Sequence, residues 1–265
     1  MKLEHLIMAI EEVAPPKLAA SWDNCGLQVA SLRSDIKHIA LCLDPSLQSI
    51  KLAIAQGADF IISHHPLLMQ GRLPNKVDNY YYALKMLLQE DVALYSAHTS
   101  LDVNGIGPAA WLASALNLQN LVNLEPVSSE TYGLWGYGLV GELVNDISYS
   151  ELLTKLRTYI DLNVSTLCGT LPHRIKKIAY CTGSGSSFMN NAYALGADIF
   201  ITGDVKYHSA LESPLCTLDV GHHSLEEKMM EEFCLLLSQK LSATTVEFIP
   251  SESPLRPAYN SSKNP

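Results

Sequence analysis

Charge is scarce in this chain: Asp, Glu, Lys and Arg make up 17% of its 265 residues, and the balance is a net −9. A general nucleic-acid binder normally carries a basic face, so that class is disfavoured, while a local basic patch or a nucleotide substrate stays open. No stretch of eighteen or more uncharged apolar residues occurs, which argues against a membrane-spanning helix. The opening MKLEHLIMAIEEV lacks a small-residue cleavage site and places Leu3, Leu6, Ile7, Ile10 and Val13 on one helical face. It therefore reads as a helix and not as an export signal, and the expected location is the cytoplasm. None of the six cysteines forms a C-x-x-C pair, and Cys42, Cys181 and Cys216 sit inside apolar runs, as buried thiols of a reducing compartment do. No linker rich in Gly, Ser or Pro divides the chain, which predicts packed lobes.

What the chain does contain is a repeat. Residues 36 to 65, IKHIALCLDPSLQSIKLAIAQGADFIISHH, lie over residues 175 to 204, IKKIAYCTGSGSSFMNNAYALGADIFITGD, at a constant offset of 139. Eleven of the thirty pairs are identical, among them the Gly-Ala-Asp turns at Gly57 and Gly196. A second echo follows each copy, with VALYSAHTSLD at 92 to 102 matching CTLDVGHHSLE at 216 to 226. His98 thus pairs with His222, and Asp102 with Glu226.

Apolar strands alternating with helices of about ten residues predict an α/β fold with largely parallel sheets. Two similar α/β lobes from an internal duplication are expected. The first would take residues 1 to 126, joined by the C-terminal segment 227 to 265, and the second residues 127 to 226. Residues 120 to 170 belong to neither copy. In that stretch an aromatic, glycine-rich strand starts at Tyr132, and Trp135 and Tyr137 look exposed enough to form a contact surface over residues 130 to 143.

The repeats carry the candidate chemistry. His64-His65-Pro66 falls beyond the carboxyl end of a buried strand, where ligands collect in open α/β sheets. His222 and Glu226 are four apart at the start of the last long helix, so an imidazole and a carboxylate share one face. Both are ligands for zinc, iron or manganese. His223 and Glu227 repeat that spacing, but His223 aligns with Thr99 and is the neighbour, not the ligand. Asp204 stands where the first copy has His65, with His208 close by; it is a ligand, a general base, a carboxylate that orients a ligand histidine, or a plain helix cap. The loop Gly183-Ser184-Gly185-Ser186 is either an anion site or a plain turn.

The motifs WDNCGLQV at 22 to 29, SHHPLL at 63 to 68, AHTSLD at 97 to 102, TGDVKYH at 202 to 208 and DVGHHSLE at 219 to 226 together resemble the NIF3-like family, also called the GTP cyclohydrolase 1 type 2 homologues, in the form without an inserted middle domain. The resemblance implies a dinuclear metal site in the cleft between two α/β lobes. Its two divalent transition metal ions would fall on His64, His65, Asp102, His222 and Glu226. It also implies a ring-shaped homohexamer. The expected activity is that of a hydrolase, a metal-activated water attacking a small nucleotide-type substrate by ring opening of GTP or at a phosphoester, with Asp204 or His98 moving protons. The competing expectation is a metal-binding regulator or adaptor ring without turnover.

Overall fold

The computed structural model describes residues 1–127 and 133–258. Tyr132, the predicted start of the aromatic strand, lies outside them. The described residues divide into two compact units: 1–109, 133–135 and 229–251 form the first, and 110–127, 136–228 and 252–258 the second. Among the described residues no helix is long and apolar enough to cross a membrane.

The first unit opens with α1 (Leu3–Glu11), which buries Leu6, Ala9 and Ile10 and ends ahead of Pro15-Pro16. Its sheet takes β1 (Gly26–Val29), β2 (His38–Cys42), β3 (Phe60–Ser63), β4 (Ala93–Ser96) and β11 (Thr245–Phe248) in the order β1-β4-β3-β2-β11. Every pairing is parallel except β1 with β4. The central strands are buried on both faces, which is why they read as unbroken apolar runs. On one face Ala40, Cys42, Ile61 and Leu94 pack with Ile50 and Ala53 of α2 (Leu47–Ala55) and Leu87 of α3 (Asn79–Gln89). On the other, the Tyr95 hydroxyl donates to Glu11 at 3.3 Å.

The second unit begins with α5 (Trp111–Leu116), following the single turn α4 (Thr99–Asp102). Its sheet takes β5 (Gln119–Pro126), β6 (Gly136–Ile147), β7 (Thr166–Cys168), β8 (Ile175–Ser184), β9 (Ile199–Gly203) and β10 (Cys216–Asp219) in the order β5-β6-β8-β9-β10-β7. Here the expectation of a largely parallel sheet is corrected. Only β8–β9 and β9–β10 are parallel, while β5–β6, β6–β8 and β10–β7 are antiparallel. The antiparallel members are the strands that neither repeat contains, added to the edges of a parallel core. Pairing of β5 with β6 also groups residues 110–126 with this unit, where the sequence suggests a boundary at 126. Helices α6 (Tyr149–Leu156), α7 (Met189–Ala194) and α8 (Tyr207–Leu211) complete it, and α9 (His222–Lys240) carries the chain onward. Trp135 and Tyr137 are partly buried and not exposed, and Tyr137 stacks on Phe188 at 5.8 Å.

The repeated sequence builds the same local structure twice. After α2, Gly57 has φ +88° and Ala58 N–H returns to Ala53 O at 3.0 Å; after α7, Gly196 has φ +74° and Ala197 N–H returns to Ala192 O at 3.0 Å. These are helix ends of the kind that a left-handed glycine closes. The following Asp59 accepts from the backbone N–H groups of Lys37 (2.8 Å) and His38 (3.1 Å). Asp198 accepts from Lys176 and Lys177, both at 2.8 Å. In each unit the acid of Gly-Ala-Asp thus ties the turn to the start of the neighbouring strand.

Candidate metal centre

In the first unit β3 and β4 are parallel neighbours, so the residues just past their ends meet. His64 and His65 follow β3, and His98 precedes the turn α4. The three rings cluster, with centroids 5.0 Å apart for His64–His65, 5.0 Å for His64–His98 and 5.4 Å for His65–His98. One ring nitrogen of each lies within 4.8 Å of the others, near enough to serve a common cation. Asp102, at the end of α4, brings a carboxylate oxygen to 3.7 Å from His64 Nε2.

What fixes the rings decides their chemistry. His64 Nδ1 contacts Ala97 O at 2.9 Å, His65 Nδ1 contacts Asp44 Oδ1 at 2.7 Å, and His98 Nδ1 contacts Asp23 Oδ1 at 2.7 Å. A carbonyl or carboxylate can only accept, so each Nδ1 carries the proton and donates it. In a neutral ring held this way it is Nε2 that keeps the lone pair, the form in which imidazole binds a metal. Asp23 is the most firmly held of these acids, its side chain fully buried. Burial opposes its ionisation, but hydrogen bonds from His98, Cys25 and Thr99 outweigh that and hold the carboxyl well below the usual carboxylate range.

The second unit presents a related set. His222 opens α9, its Nδ1 2.7 Å from Asp204 Oδ2 and its Nε2 2.8 Å from Glu226 Oε2, one turn further on. The Glu226 hydrogen bond, opposed by burial and reinforced by Asp204, pushes the His222 imidazole up to about 9. Asp204 sits at φ +55°, a left-handed conformation that Asp tolerates better than most residues, and this turns its carboxylate to the His222 ring. Gly183, also left-handed at φ +58°, lies against Glu226, and a Cβ there would collide with the carboxylate. The Gly183–Ser186 loop thus makes room for a side chain: β8 runs on to Ser184 and Gly185 N–H donates to Thr202 Oγ1 at 2.9 Å. His223 pairs with its own Glu227 at 3.7 Å, and His208 rests edge-on to Tyr207 at 5.3 Å.

Both sets pair imidazole nitrogens with carboxylate oxygens, a donor set that fits divalent transition metals, and His222 must give up its Nε2 proton to bind one. Two residues of this arrangement went unnoticed in the sequence. Asp23 lies 75 positions from the histidine it holds and Asp44 lies 21 from His65, so no local spacing exposes them.

A profile of the family Duf34/NIF3 (NGG1p interacting factor 3) matches residues 1–256. A GTP cyclohydrolase 1 type 2 homolog of Methanocaldococcus jannaschii is 36% identical over 248 residues, spanning 91% of this chain and 96% of that protein. A homolog of the same name from Clostridium perfringens is 34% identical over 258 residues, 95% and 97% of the two chains. Among solved structures, reduced HcgD from Methanocaldococcus jannaschii superposes with a TM-score of 0.80 at 33% identity, covering 94% of this chain and 97% of that one. With a profile match along nearly its whole length and relatives above 30% identity, the chain belongs to the Duf34/NIF3 family.

Proposed function

We propose that the chain is a dinuclear-metal hydrolase acting on a nucleotide-type substrate, with His64, His65, Asp102, His222 and Glu226 as ligands of two zinc, iron or manganese ions. The observation that carries this reading is the cluster of His64, His65 and His98, whose Nδ1 atoms each meet an oxygen acceptor and whose rings each bring one nitrogen within 4.8 Å of the others. The names of the relatives support a nucleotide as substrate. Metals bound there would supply a water of lowered pKa and a Lewis acid for the attacked group. The chain supplies the rest. Ala97 O and Asp44 hold His64 and His65 in one tautomer, and Asp204 does so for His222. His98 takes the role of base: with Asp23 holding its Nδ1 proton, its Nε2 accepts a proton from the attacking water. That assignment leaves Asp204 as the group that orients His222. The matching Gly-Ala-Asp turns support descent of the two units from a duplicated half.

A second reading, a metal-binding regulator or adaptor ring without turnover, is favoured by the family's description as an interacting factor. The two separate in one experiment: metal-loaded protein is assayed against a panel of nucleotides and phosphoesters, with Asp102→Ala as control. Turnover in the wild type that disappears with Asp102→Ala is expected. A fully metallated protein that turns over nothing in the panel would leave the regulator in place of the enzyme.

A further inference from the structure

Trp22 is 62% exposed, an unusual cost for the largest apolar side chain in a protein with an extensive core. It is not exposed because its backbone is loose. On one side Ala20 N–H donates to Thr99 Oγ1 at 3.0 Å. On the other, Asp23 N–H returns to Ala20 O at 2.9 Å, and the Asp23 carboxylate accepts from His98, Thr99, Cys25 and the Asn24 backbone. Asn24 Nδ2 donates to Leu68 O at 2.8 Å, and Gln28 Nε2 closes the turn onto Asn24 O at 2.8 Å. The indole is therefore held out on a rigid mount. It also stands at the cluster, meeting the His98 ring at a centroid distance of 6.0 Å and an interplanar angle of 73°.

We infer that Trp22 is the stacking platform for the planar ring of the substrate, a purine or similar fused heteroaromatic ring, placed beside His64, His65 and His98. The inference rests on the nucleotide reading above and names the residue that recognises the base. An edge-on contact with His98 leaves broad indole surface open, and stacked aromatic rings sit with centroids about 4.5–7 Å apart. Trp22 itself is in ring contact with the candidate base His98, so a ring stacked on it is held near the cluster. Tryptophan suits this role because it offers a large surface at little conformational cost, and stacking accepts any base face. Selection among bases would fall to other groups, so Trp22 sets the class of ring and not its identity.

The test is an equilibrium titration of the metal-loaded full chain with guanosine, GTP and inorganic triphosphate, for the wild type, Trp22→Phe and Trp22→Ala. Metal content and mass in solution are measured alongside. Affinity for guanosine and GTP should fall about 10-fold or more in Trp22→Ala and less in Trp22→Phe, the scale of one lost base–aromatic stack. Triphosphate affinity and metal content should not change. Unchanged guanosine and GTP binding in Trp22→Ala overturns the inference while leaving the nucleotide reading intact. So does an equal loss for triphosphate, which marks general damage. A drop in mass with nucleoside binding unchanged would assign Trp22 to a contact with a second copy, against the inference. If the wild type binds none of the three probes, the nucleotide reading itself falls. Should Trp22→Ala not fold, Trp22→Phe decides alone: no weakening for guanosine in that variant goes against stacking, because the smaller ring stacks less.

Discussion

Four histidines, three in the first unit and His222 in the second, each bring Nδ1 to an oxygen acceptor, although the oxygens come from unrelated places. Ala97 provides a backbone carbonyl, Asp44 follows β2, Asp23 lies in the turn before β1, and Asp204 follows β9. The shared outcome is chemical: each partner fixes tautomer and ring angle. Removing such a partner typically costs 10–100-fold in metal affinity. Asp44→Ala should therefore weaken binding by about that factor in a competition titration against a chelator. The fold should hold, since the Asp44 side chain is half exposed. Unaltered affinity would mean that His65 does not bind metal. His222 and His223 give a sharper contrast. Only His222 joins Asp204 and Glu226, so His222→Ala should lower affinity by about 10-fold or more, and His223→Ala should leave it near the wild-type value. The reverse ranking would displace the ligand assignment by one residue. Thiols report on burial in the same protein. Burial pushes both Cys216 and Cys234 up to about 11. Their thiolate fraction is then small until pH approaches that value, and in the native state both should resist iodoacetamide at pH 8 while reacting once urea unfolds the chain. Mass-spectrometric detection of either adduct on native protein would contradict the burial of that side chain.

At the scale of elements, the Gly-Ala-Asp turn does most to make the sequence legible. Gly57 and Gly196 adopt φ values that disfavour a side chain, yet an added methyl at Gly57 would meet nothing nearer than 3.9 Å and one at Gly196 nothing within 4 Å. The cost of Gly57→Ala or Gly196→Ala is thus backbone strain without a clash, about 1–2 kcal/mol each. Urea denaturation should show a lowered midpoint with little change in slope. No loss of stability would mean that the turn relaxes out of the left-handed region. Because these turns, their acids and the flanking apolar strands recur at an offset of 139, the strand–helix–strand cores were readable with His64 and His65 at the end of one of them, while the second echo, at an offset of 124, singled out His98, Asp102, His222 and Glu226 as candidates. Less readable were the parts whose form depends on distant partners. Strand β5 alternates weakly and becomes a strand by pairing with β6. The single turn α4 is too short for a periodic signal. The antiparallel edges of the second sheet follow from β5, β6 and β7, which lie outside the repeat. Asp23 and Asp44 escaped for the same reason, each acquiring its role from a histidine far along the chain. Gly183 stands opposite Asp44 in the repeat, and the two diverge in function: one acid buttresses His65, while the missing side chain admits Glu226.

For the molecule as a whole, the open question with a physical handle is assembly. Tyr137, expected from sequence to face outward, is occupied by Phe188, and Trp135 is partly buried, so residues 133–143 offer less contact surface than their aromatics suggest. The second unit exposes larger apolar groups elsewhere. Tyr207 is 75% and Leu211 71% exposed. They are four apart on α8, hence on one face, and contiguous apolar surface of this kind marks contact sites on water-soluble proteins. The family resemblance points to a closed ring of six, and a ring closes only if each copy offers two complementary surfaces. One of these is expected to include α8. Light scattering at micromolar concentration should then give about six times the 29.1 kDa of one chain. Tyr207→Lys combined with Leu211→Glu should shift the protein to smaller species while leaving the metal ligands untouched. A wild type with the mass of a single chain would remove the ring altogether, and a hexamer indifferent to the double substitution would keep the ring but take α8 out of its contacts.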